Sequence, residues 1–237
     1  MFKLNLQFFG GRGSGAGKGG YVIPIDQTPF SNTPRRPAPE TLRSALGSRG
    51  EEKSPADAML ETNPYYDGDY REFSHNCQRV VVAYEARRRG YDVMAQPTFE
   101  GDKLNRVAYY DSKNNISRGR WMGAFQDAKP VDVSAVGKGT QASQNVVNNI
   151  ENQMKSYGNG SRGVVQLFYK GGGGHVFNVE QRNGKTYFIE AQTGKVKDMQ
   201  RLMDVMRTDR VALVRTDNLK FSDRAKQFVE PSRRGGK

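Results

Sequence analysis

The 237 residues are 35% hydrophobic and 26% charged, with a net charge of +12 and a mean hydropathy of −0.78. No apolar run approaches the roughly 20 residues that cross a bilayer, so no membrane partner is expected. A single cysteine excludes an internal disulfide framework, and with only two histidines there is little for a zinc site, so neither metal nor cofactor is expected.

The basicity is uneven. Residues 1–50 hold seven Lys/Arg against two Asp/Glu, and 231–237 add three more cations, which leaves +4 of the total +12 for 51–230. Leu4 to Phe9 is too short and too polar for a secretory signal peptide. Residues 10–20 (GGRGSGAGKGG) read as a flexible linker. Gly17-Lys18 does not make a phosphate loop, because Arg12 stands where the first glycine is required and Gly19 where Ser or Thr is. Pro24, Pro29, Pro34, Pro37, Pro39 and Pro55, with few apolar residues between them, predict extended or disordered chain. The division expected is a basic tail over 1–55, one domain over 56–230 and a short basic tail over 231–237. Such tails attract polyanions without shape selectivity, nonspecific contact with nucleic acid included, or simply solubilise the chain.

Folded sequence is expected from Ala56 or Asn63. Ser74–Arg89 reads as a helix, with Ser74 or Asn76 as cap and an apolar stripe of Val80, Val81, Ala83 and Tyr84. Arg87-Arg88-Arg89 suit its C-terminal dipole, and Gly90 its left-handed stop. Residues 92–140 show a short helix around Trp121–Phe125 and much loop. A second helix is predicted over Gln144–Lys155, with Val146, Val147, Ile150 and Met154 on one face. Strands follow at Val164–Tyr169, His175–Gln181, Lys185–Ala191 and Val211–Arg215, and Asn183-Gly184 is a strong hairpin signal. Helices first and an antiparallel sheet after make an α+β arrangement.

Cys77 falls in the first turn of its helix, where backbone N–H groups and the dipole stabilise a thiolate; the bland alternative is a small buried hydrophobe. His175 follows four glycines, Gly171 to Gly174, which suit either a substrate groove or a loose loop. With a two-residue turn at Asn183-Gly184, paired residue numbers sum to 367. That sets His175 opposite Gln192, with Glu190 as diagonal neighbour on the same face. Glu190 is placed to orient the imidazole, and Gln192 either to orient it or to donate to an oxyanion. His75, two residues before Cys77, points away from it and is the lesser candidate for a base. Gln78, Gly174 and Trp121 complete the candidate oxyanion or substrate contacts, although a lone tryptophan is by default a core residue.

The stretch Asn76-Cys77-Gln78-Arg79, continuing through Val82-Ala83-Tyr84-Glu85 to Arg88-Arg89-Gly90-Tyr91-Asp92-Val93, resembles the nucleophile segment of papain-fold toxin domains grouped as glutamine-deamidase-like. Gly174-His175-Val176-Phe177, Phe188-Ile189-Glu190-Ala191-Gln192-Thr193-Gly194 and Leu213 to Asn218 resemble later blocks of that family, in its order. The resemblance implies a papain-like fold and a Cys77, His175, Glu190 triad acting on protein side-chain amides of a host protein. Proteolysis and amide transfer would use the same constellation. The family usually has Asp-Pro-Gln where this chain has Glu190-Ala191-Gln192. Separately, Met1 to Gly11 resembles the start of head-associated proteins of Gram-positive phages. That implies a virion or host-cytoplasm location, a capsid or portal partner, and as an alternative function a non-catalytic virion protein.

Overall fold

The computed structural model describes residues 28–31, 37–105, 108–196, 202 and 205–232. The expectations for residues 1–27 and 233–237, and the phage-like N-terminus, lie outside them. Packed chain begins earlier than Ala56. Helix α1 (Leu42–Leu46) starts with a Thr41–Ser44 capping box and buries Ala45 and Leu46. Arg49 also reaches across to the Arg89 carbonyl at 2.7 Å. The proline-rich composition concealed this short apolar anchor, and the tail boundary at residue 55 is therefore corrected.

Helix α2 (Pro55–Thr62) has Ser54 as N-cap and proline in its first turn, where no N–H is needed. Helix α3 (Arg71–Ser74) is one turn, and α4 (Cys77–Arg88) follows after His75 and Asn76. Every residue of α4 from Cys77 to Arg87 is buried, so it is a central helix and not one with an apolar stripe. Its charged residues are matched by its own C-cap and by other elements. Arg79 pairs with Asp102, and Glu85 accepts from Arg89 (2.7 Å) and Arg162 (3.0 Å). Arg87 donates to the Val93 carbonyl at 2.7 Å and pairs with Glu61 and Asp92.

Strand β1 (Val93–Ala95) pairs with the distant β10 (Val229–Pro231), and β2 (Ala108–Asp111) with β3 (Ile116–Gly119). The remaining strands form one antiparallel sheet in the order β4-β9-β5-β6-β7-β8. These are β4 (Val131–Asp132), β5 (Arg162–Phe168), β6 (Gly174–Arg182), β7 (Lys185–Glu190), β8 (Lys195–Val196) and β9 (Ala212–Arg215). Asn183 and Gly184 both take positive φ, 49° and 75°, as a type I′ hairpin requires. The β6–β7 ladder follows the expected register, from Arg182–Lys185 to Asn178–Ile189.

Two apolar layers flank the sheet. One joins α4 to Val164, Val176, Ile189 and Val214. The other joins Val146, Ile150 and Met154 of α5 (Gly139–Tyr157) to Val165, Leu167, Phe177 and Val179. Alternation along each strand sends successive side chains to opposite layers. No helix among the described residues is long and apolar enough to cross a membrane.

Candidate active site

Helix α4 runs alongside β6 in the same direction. Tyr84 donates to Glu180 Oε1 at 2.7 Å, and one turn earlier the Val81 carbonyl accepts from Asn178 Nδ2 at 3.2 Å. Continuing that course by one more turn brings Cys77 to the Gly174–Val176 end of the strand. Cys77 is buried, 3% exposed, and opens the helix.

His175 and Glu190 lie past the Asn178–Ile189 rung. His175 Nε2 is 2.7 Å from Glu190 Oε2, with both residues buried. With Glu190 ionised, this contact puts the ring proton on Nε2 and makes Nδ1 the basic nitrogen of the neutral imidazole. Glu190 Oε1 also accepts weakly from the Gln192 backbone at 3.4 Å.

Tyr169 closes the same corner from just past the end of β5. It stands two residues beyond Leu167, the cross-strand partner of His175, so it flanks His175 on the side away from Glu190. Its phenol is held well above the ordinary value, by burial first and then by the negative charges of Glu190 and Cys77. Burial and these charges keep it a neutral O–H donor. Tyr66, half-exposed, is raised for similar reasons: burial, then Glu190, then Asp67. Sequence reasoning did not single out either tyrosine, since neither carries a local motif.

The other candidates take different places. Gln192 does not stay in the ladder opposite His175. Its side chain turns to the start of α4, where Nε2 donates to the Ser74 carbonyl at 2.7 Å and to Asn76 Oδ1 at 3.3 Å. Gln78 is occupied at both ends of its amide: Nε2 donates to the Leu104 carbonyl, and Oε1 accepts from the Trp121 backbone at 3.0 Å. Trp121 is fully buried and donates from Nε1 to Gln166 at 3.0 Å, so it belongs to the core and not to a groove wall. Gly174 permits close strand approach, since a Cβ there would lie 2.8 Å from the Leu167 carbonyl. His75 ends α3, pairs through Nδ1 with Ser74 Oγ at 2.9 Å, and is pushed down to about 4 by burial and Arg71. A base that stays neutral to such low pH is poorly suited to accept a thiol proton.

A cavity of about 360 Å³ beside the first turn of α4 is lined by Arg79, Gln96, Phe99, Lys103, Arg120 and Arg224. None of Cys77, His175 and Glu190 contributes to it, so it is separate from this corner.

A family model described as papain fold toxin 1, glutamine deamidase, matches residues 75–195, which span α4 through the turn after β7. No curated protein and no solved structure matches the chain.

Proposed function

The chain belongs to the papain fold toxin 1, glutamine deamidase family, and from that premise we propose that it is a toxin that hydrolyses glutamine side-chain amides in proteins through Cys77, His175 and Glu190. The observation that carries the reading is the 2.7 Å contact between His175 Nε2 and Glu190 Oε2. It supports a mechanism in which Nδ1 takes a proton from the Cys77 thiol and Glu190 balances the imidazolium that results.

The thiolate then attacks the carboxamide carbon, and a tetrahedral intermediate forms with its negative charge on oxygen. Donors at the start of α4, together with the neutral phenol of Tyr169, suit that charge. The imidazolium returns its proton to the departing nitrogen, and ammonia leaves. Water, deprotonated by the same imidazole, cleaves the thioester to give glutamate and restore the thiol. Glu190 keeps a carboxylate one methylene longer than the family's usual aspartate, and the contact with His175 spans that extra length.

A glutamine-based chloroketone peptide tests this directly. Intact-mass analysis is expected to find one adduct on Cys77 in the wild-type chain, and none in Cys77→Ala or His175→Ala. Labelling of Cys77 at the same rate in His175→Ala would remove His175 from the mechanism.

A further inference from the structure

Asn76 is the N-cap of α4, and asparagine is among the residues best suited to cap a helix with its side chain. It makes no side-chain cap here. Its Nδ2 donates instead to Asn63 Oδ1 at 2.9 Å and to the Gln96 carbonyl at 3.2 Å, while its Oδ1 accepts from Gln192 Nε2 at 3.3 Å. Asn63, just after α2, donates from Nδ2 to the Phe73 carbonyl at 2.9 Å and to the Gln192 carbonyl at 3.0 Å. Gln192 completes the ring by donating to the Ser74 carbonyl at 2.7 Å. All three side chains are buried, at 5%, 1% and 3% exposure.

We propose that Asn63, Asn76 and Gln192 form an amide clamp of positioning residues that sets the start of α4, and with it Cys77, against the end of β7 that carries Glu190. The inference rests on the Cys77–His175–Glu190 reading and deepens it. Its two sides are adjacent in sequence to the reacting groups: Asn76 precedes Cys77, and Gln192 lies two residues after Glu190. The β6–β7 ladder ends at the Asn178–Ile189 rung and includes no residue of α4, so it does not set the distance between Cys77 and Glu190. Side-chain amides then supply the register that backbone pairing provides elsewhere in the sheet. Each amide offers two N–H donors and a carbonyl acceptor in one plane, so it can bridge several backbone segments at once.

The full-length chain is tested with two variants. Gln192→Met keeps the side-chain volume and loses the donors. Asn63→Asp keeps the acceptor for Asn76 and loses the donors to Phe73 and Gln192. Fold is followed by circular dichroism and cooperative melting, and if either variant does not fold the other carries the test. The readout is the pH dependence of Cys77 alkylation by iodoacetamide, which reacts with the thiolate and needs no substrate. The proposed thiolate–imidazolium pair predicts that wild-type alkylation stays fast at mildly acidic pH. The folded variants are expected to lose that low-pH arm by about tenfold or more, approaching an ordinary thiol curve. A general loss of stability would lower the melting temperature without changing this profile of the folded protein. Folded variants that keep the low-pH arm overturn the clamp alone. A wild type without the arm overturns the Cys77–His175 pairing, and the clamp with it.

Discussion

Glu190 holds the Nε2 edge of His175 from beyond the last rung of the β6–β7 ladder, at 2.7 Å and out of solvent. The contact fixes both the tautomer and the orientation of the ring. Glu190→Gln keeps the shape but permits the wrong tautomer, so kcat is expected to fall about 10²- to 10⁴-fold with little change in KM. Glu190→Asp shortens the reach and should fall between that variant and the wild type. Steady-state ammonia release from a glutamine-containing substrate protein measures both.

Gly174 precedes His175 and pairs with Phe168 at the end of the β5–β6 ladder. A methyl group there would meet the Leu167 carbonyl at 2.8 Å, so one of the two backbones must move. Gly174→Ala is expected to lower kcat about 10- to 100-fold through displacement of the imidazole, while the chain still melts cooperatively. Unchanged kcat would mean that the strand gives way without moving His175.

Glu85 is fully buried and accepts from Arg89, Arg162 and the Thr216 hydroxyl. Glu85→Ala removes the carboxylate that balances these two largely buried cations, and should cost about 3–5 kcal/mol in urea denaturation. This exceeds the cost expected for an exposed pair such as Arg49–Glu52, which contributes about 0–1 kcal/mol.

His75 gives a pH signature apart from catalysis. Its folded value is pushed down from 6.5 to about 4, so between those values the unfolded chain binds the extra proton. Stability therefore falls as pH drops from 6.5 toward 4, and the contribution levels off below the folded value. His75→Gln should flatten this part of the stability curve by about 1–2 kcal/mol, after allowance for the partial exposure of the ring. Denaturation midpoints of the two proteins across that window decide it; parallel curves would contradict the assignment.

The elements readable in the sequence are those with local chemistry. Asn183-Gly184 signals a hairpin and its register, and that register places Glu190 diagonal to His175, where the two are in contact. Gly90, with φ of 91°, marked the end of α4. What stayed hidden depends on distant partners. The burial of Arg79, Glu85 and Arg87 has no local signal, because Asp102, Arg162 and the Val93 carbonyl are not neighbours in the sequence pattern. The three-residue strands β1 and β10 lie more than a hundred residues apart and have no periodicity of their own. Gln192 was expected to continue the ladder, but the chain turns there and its amide joins Asn63 and Asn76.

The central claim is that Cys77, activated by His175, converts protein glutamine to glutamate. The most direct measurement incubates the wild-type chain, Cys77→Ala and His175→Ala with a bacterial protein extract, then maps glutamine sites by peptide mass spectrometry alongside ammonia release. The account predicts glutamate at specific former glutamines, with matching ammonia, in the wild-type sample alone. Conversion of the same sites by Cys77→Ala, or no conversion at any site by the wild type, would contradict it.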